Sequence, residues 1–137
     1  MNIYVEKGAY VPERAHKTDA GLDVKSCENR LIKAHRGALL RTGLHVQLPH
    51  GTAGLLVSKS GLNVKHGITS TGLIDEGYTG EIMVKLYNHS DYDYYVNAGD
   101  KISQLVVIPV LYEDIHFKNF LDADTDRGNN GFGSSGK

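Results

Sequence analysis

A single cysteine, Cys27, stands in a chain of 137 residues, so an intramolecular disulfide is excluded and so are the cysteine-rich zinc signatures. The seven histidines are scattered and none repeats at the i, i+4 spacing of a helical metal pair, which leaves them without an assigned role. Charge of one sign is also missing: 15 Lys and Arg face 16 Asp and Glu for a formal net charge of -1, with no single-sign block. That balance excludes a broad electrostatic grip on duplex nucleic acid. No apolar run approaches the ~18 residues of a membrane span, and the opening MNIYVEK has no apolar signal core. No membrane partner is expected, and a reducing, cytoplasmic setting is.

What the chain does contain is short β-branched and aromatic runs. Leu44 to Leu48, Ile82 to Tyr87, Tyr92 to Val96 and Ile102 to Tyr112 partly alternate in polarity, as half-buried strands do. Turn residues punctuate them at Pro49-His50-Gly51, Asp75-Glu76-Gly77 and Asn97-Ala98-Gly99-Asp100. The rhythm predicts an all-β sandwich or barrel. Only Ser60 to His66 carries a helical turn or two, with Gly67 as its stop. From Asp122 onward the sequence, DADTDRGNNGFGSSGK, has almost nothing to place in a core. One β-domain over 1–121 and a mobile tail over 122–137 are expected.

Several segments could carry chemistry. In the tail, glycines 128, 131, 133 and 136 let consecutive N–H groups converge on an anion, while Arg127, Ser134 and Ser135 add donors. Phe132 offers a ring that could lie over a nucleobase. Gly72-Leu73-Ile74-Asp75-Glu76-Gly77-Tyr78-Thr79-Gly80-Glu81-Ile82 reads as a strand, a tight turn and a returning strand, holding the Asp75 carboxylate rigidly at the bend. An ordinary turn-forming role competes with a catalytic one there. Ser58-Lys59-Ser60-Gly61-Leu62 places hydroxyls and a cation at a helix start, where phosphate is favoured, although a plain cap has the same composition. Ala20-Gly21-Leu22-Asp23-Val24 presents one acid that could hold a hydrated divalent cation or face solvent. Cys27 reads as a partly buried small side chain.

In order along the chain, these segments resemble the five motifs of the homotrimeric dUTPases: Ala20 to Val24, Ser58 to Leu62, Gly72 to Glu81, Gly99 to Leu105, and Arg127 to Gly136. The resemblance implies a jelly-roll-like β-subunit, a homotrimer with shared active sites, and dUTP with Mg2+ as the substrate pair. It also implies roles. Asp75 resembles the base that activates water against the α-phosphorus. Asp23 resembles the acid that holds the metal through water. Ser58, Lys59, Ser60, Gly61 and Gln104 resemble groups at the phosphates, and Gly72, Ile74 and Tyr78 those around the uracil and sugar. Arg127, Phe132, Gly133, Ser134 and Ser135 resemble the closing lid.

Lys59 stands where the family usually has Arg, replacing a planar fork by a point charge. Two rival readings follow from relatives of the same architecture. A dCTP deaminase would need a catalytic Glu on the strand after the hairpin, where this chain has Lys85. Some phage members act on regulatory protein partners, and a partner of that kind is expected if the chain is of phage origin.

Overall fold

The computed structural model describes residues 1–121 together with Thr125, Gly128 and Gly131; Arg127, Phe132, Gly133, Ser134 and Ser135 lie outside the described residues. In chain order the elements are β1 (Asn2–Val5), β2 (Leu22–Lys25), β3 (Arg30–Ile32), β4 (Gly37–Leu40), β5 (Leu44–Gln47), β6 (Thr52–Val57), α1 (Ser60–His66), β7 (Ile68–Ile74), β8 (Val84–Asn88), β9 (Tyr94–Val96) and β10 (Lys101–Pro109). A six-stranded sheet runs β2-β10-β6-β7-β8-β4, and the pairs β1-β5 and β3-β9 flank it. All the ladders are antiparallel.

The strands form because their side chains alternate between an apolar interior and the outside. In β8, Val84, Leu86 and Asn88 are buried while Lys85 and Tyr87 point away; in β4 the buried members are Ala38 and Leu40. Val24, Ile32, Leu40, Leu44, Leu56, Ile68, Leu86, Ile102 and Leu105 meet in one core, each at most 2% exposed. α1 has no fully buried residue, although Leu62 packs against the core, and it ends where the sequence says it should, on Gly67 with φ 64°, whose N–H returns to the Asn63 carbonyl.

Three expected strand limits shift for local reasons. Tyr92 does not start β9, because its N–H meets Ser90 Oγ and its carbonyl accepts from Asn88 Nδ2, a side-chain-stabilised turn. β10 stops at Pro109, which has no N–H to continue the ladder. The strand expected from Ile82 starts at Val84, since the Ile82 N–H crosses to the Leu44 carbonyl at 2.7 Å instead of joining β7.

That last shift reshapes the hairpin. The β7–β8 ladder covers only Ile68 to Ser70 against Leu86 to Asn88. The turn expected at Asp75 forms, with the Tyr78 N–H on the Asp75 carbonyl, but the returning strand expected up to Ile82 does not pair with β7 and the segment is a splayed loop. Beyond Ser70, β7 continues on β6 alone, with Thr71 opposite Val57 and Ile74 opposite Gly54.

Candidate active site

Two groups of side chains emerge from this topology. The first gathers at β10, which pairs with β2 on one edge and β6 on the other; Gln104 and Leu105 are shared by both registers, and Gln104 stands opposite Asp23 and Val57. Opposed residues on paired strands share a face, so Asp23 and Gln104 stand side by side. The Gln104 amide donates from Nε2 to the Ser58 carbonyl at 3.1 Å. Lys59, one residue on, turns back onto Asp23 Oδ1, and Lys101 Nζ reaches Oδ2 at 2.8 Å across a bulge in the β2–β10 ladder.

Asp23 is therefore neither open nor solvent-facing. It is 5% exposed and clamped by two ammonium groups. Burial pushes its carboxyl up, but the hydrogen bonds and charges of Lys101 and Lys59 outweigh that and hold it below its ordinary value. Lys59, expected among the groups at the phosphates, is paired with Asp23 here.

The Ser58 hydroxyl is engaged within the fold. Its hydroxyl donates to the Ser70 carbonyl at 3.0 Å and accepts from the Ser70 N–H at 2.9 Å. The Ser70 hydroxyl meets Ser103 Oγ at 2.8 Å, and Ser103 Oγ donates to the Val57 carbonyl. This buried hydroxyl chain ties β6, β7 and β10 together beneath the site. Ser60 is exposed at the first position of α1, and Gly61 has open space around it.

The approach of Gly21 to Gln104 is close enough to test. A Cβ on Gly21 would lie 2.5 Å from Gln104 Oε1 and 2.9 Å from its Cβ. Gly21→Ala is expected to push the Gln104 amide off the Ser58 carbonyl and destabilise the fold by about 1–3 kcal/mol, as overpacking does. Urea unfolding and turnover measured together check it, and unchanged stability would show that Gln104 is not held by this contact.

The second group occupies the splayed loop. Leu73, Ile74, Asp75, Tyr78, Glu81 and Met83 line a cavity of about 220 Å3, with Asp75 exposed at its rim. The Tyr78 N–H returns to the Asp75 carbonyl and its hydroxyl donates to the Glu81 carbonyl at 2.9 Å, so the ring lies over Gly80, where any Cβ would collide with it. Gly72 packs against Leu56 of β6.

Both ends of the loop are anchored. Glu76 accepts from the Tyr112 hydroxyl, from His50 Nδ1 and from the Gly51 N–H, which together hold its carboxyl down at about 2. Glu81 accepts from the Gly43 N–H and from Arg41. Neither anchor is visible in residue spacing, because the partners lie 25 to 40 positions away along the chain.

The two groups do not meet within one chain. Asp75 follows Ile74, whose partner Gly54 lies near the start of β6, whereas Ser58 follows its end. Some five residues of extended chain, roughly 15 Å, separate them. Among the described residues no cluster of three or more His, Cys, Asp or Glu side chains could hold a metal ion, and no helix is long and apolar enough to cross a membrane.

A curled antiparallel sheet with jelly-roll-like pairing, carrying a lysine-clamped carboxylate and a splayed acidic hairpin, defines a small all-β protein of the jelly-roll class. The family is narrower than that class. The dUTPase family model matches residues 7–136, and the chain belongs to the dUTPase family. Among similar relatives, the deoxyuridine 5'-triphosphate nucleotidohydrolase of Clostridium acetobutylicum is 44% identical over 142 residues, covering 99% of this chain and 97% of the relative. That of Candida albicans is 43% identical over 129 residues, covering 93% and 81%.

Among solved structures, the Staphylococcus bacteriophage 80alpha dUTPase with dUPNHPP superposes with a TM-score of 0.93 at 31% identity, covering 99% of this chain and 98% of the other. The phage dUTPases of that work are described as controlling transfer of virulence genes by a proto-oncogenic G protein-like mechanism. A variant dUTPase of phage phi11 of S. aureus, 28% identical with a TM-score of 0.82 and covering 89% and 98%, is described with a structural Mg(II) ion.

Proposed function

We propose that the chain hydrolyses dUTP to dUMP and pyrophosphate at sites shared between subunits of a homotrimer. The observation that carries this reading is the register that sets the Asp75 loop at the start of β6 and the Asp23, Lys59 and Gln104 cluster at its end, roughly 15 Å apart by strand rise, in a chain whose segments follow the family order. One chain offers each half of a site, and a neighbouring copy completes it. The strand-free stretch after β10 adds support, since Leu111, Ile115, Phe117, Phe120 and Leu121 are all more than 70% exposed and would find cover on another subunit.

In the proposed reaction the Asp75 carboxylate accepts a proton from water as the water oxygen attacks the α-phosphorus. The bond from that phosphorus to the bridging oxygen breaks, and its electron pair leaves with pyrophosphate. Ser60 and the backbone around Gly61 take the phosphate chain, Gln104 stands by the attacked centre, and Arg127, Ser134 and Ser135 hold the γ-phosphate while Phe132 and Gly133 close over the base. Main-chain groups of Gly72 to Tyr78 read the uracil edge, and Tyr78 lies against the sugar. Thymine's methyl and cytosine's reversed donor pattern are rejected there, the second because buried groups are left unpaired.

Asp23 fits an outer acceptor for a cation that arrives on the triphosphate rather than a resident ligand, since both its oxygens already face ammonium groups. Mg2+ bound with the substrate would offset charge that develops on the phosphates. Lys85, on β8, stands where a deaminase would need a carboxylate, and its Nζ lies 5.8 Å from the Tyr87 ring centroid. A regulatory protein partner is a second reading, favoured by the phage neighbours described above.

A panel of dUTP, dTTP, dCTP and UTP, read by pyrophosphate and ammonia release, tests the activity. Pyrophosphate from dUTP at a kcat/KM at least about a hundredfold above the other three is expected. Ammonia from dCTP, or indifference to the base, would overturn the reading.

A further inference from the structure

His45 sits in β5 with two acceptors facing its two ring nitrogens. Nδ1 is 3.0 Å from the Thr79 carbonyl oxygen and Nε2 is 3.2 Å from Glu6 Oε1. A neutral imidazole carries one N–H and can serve only one of them, whereas an imidazolium donates to both. Thr79 lies between Tyr78 and Gly80 in the splayed loop, and the isolated bridge of His45 with Glu81 brings the loop's far end to the same place.

The charged and titratable groups around the ring are few. Glu6 follows β1, Glu81 closes the loop, and Arg41 spans the two, with Nη2 2.7 Å from Glu6 and Nε 3.1 Å from Glu81. Tyr4 of β1 lies over the imidazole with ring centroids 5.3 Å apart.

We propose that His45 is a positioning residue for the nucleotide site: as an imidazolium it ties the Thr79 carbonyl to Glu6 and thereby sets where Tyr78 and the rest of the cavity wall stand. The proposal rests on the reading of the splayed loop as the base and sugar pocket. His45 touches no reacting atom and acts only through the loop. The Thr79 carbonyl first, and then Glu6, draw its titration above the ordinary 6.5 against a smaller opposing effect of burial. A folded-state value raised in this way means that the tie is complete below pH 6.5 and is lost as pH rises through the raised value.

His45→Gln keeps one neutral donor at every pH and is the variant to compare. At pH 6 its KM for dUTP is expected to be about fivefold above that of the unmodified protein, the scale of one lost hydrogen bond, with kcat nearly unchanged. The ratio of the two KM values should then fall toward one as pH rises, a ratio in which the substrate's own titration cancels. Glu6→Gln should move that fall to lower pH, a shift that a merely structural role would not produce.

Ring and amide NMR supply a readout independent of turnover. The Tyr78 and Gly80 amide signals should follow the His45 titration in the unmodified protein and lose that dependence in His45→Gln. Equal KM values at all pH, or amides indifferent to His45, would overturn the proposal. If the unmodified protein does not hydrolyse dUTP at all, the functional reading fails and the amide titration alone decides the role of His45. Should His45→Gln not fold by circular dichroism, the Glu6→Gln shift and the titration of the unmodified protein decide it.

Discussion

Replacing Asp75 by Asn is expected to lower kcat roughly a thousandfold while leaving the Kd of a non-hydrolysable dUTP analogue within about threefold. The substitution preserves size and hydrogen-bonding reach, so the cavity walls at Ile74, Tyr78 and Met83 stay as they are. Only proton acceptance is removed. Because Asp75 stands at the rim and its side chain takes no part in the anchors made by Glu76 and Glu81, no change in loop position should accompany the loss. Single-turnover rates and analogue titration separate the two effects. A variant with ordinary turnover would transfer the base role to another group, and one that fails to bind would make Asp75 a wall of the pocket instead.

Ending the chain after Asp126 should cost at least about a hundredfold in kcat/KM, since one oxyanion-type donor alone is commonly worth a factor of 10² to 10³. The removed residues include Arg127, Phe132, Ser134 and Ser135. Thermal unfolding should not change. The core ends with Leu105 and the partly buried Val107, and no residue beyond 121 belongs to it among those described. Sedimentation should likewise give the same assembly for both lengths. Full activity of the shortened chain would reduce the tail to a bystander, and a large drop in melting temperature would make it part of the fold.

Much of the β architecture is legible in the sequence where the signal is local. Gly67 announces the end of α1 because a left-handed residue is needed there, and the alternation of Val84, Leu86 and Asn88 shows which face of β8 is inward. β3 is not legible in this way. It is three residues long and exists only because Tyr94 to Val96 arrive beside it from some 60 positions away. The site divides similarly. Motif order finds Asp23, Lys59 and Gln104, but the two lysines on Asp23 come from positions 36 and 78 residues distant, and no spacing rule connects them. His45 carries no sequence signal at all, since its significance lies in two acceptors supplied by Glu6 and Thr79. Composition also misjudged the hairpin: Asp75-Glu76-Gly77 signals a turn correctly, yet cannot show that Ile82 prefers Leu44 to β7.

The early end of the β7–β8 ladder at Ser70 has a bearing on how base preference can evolve. A pocket read by main-chain N–H and C=O groups presents the same chemistry whatever side chains decorate it. Point substitutions along Leu73 to Met83 would then change how tightly a base is held more readily than which base is held. Changing the preferred base would call for adding or deleting a residue between the strands, so that the register of the gap itself moves. Discrimination stored in the length of a loop drifts more slowly than discrimination stored in its composition.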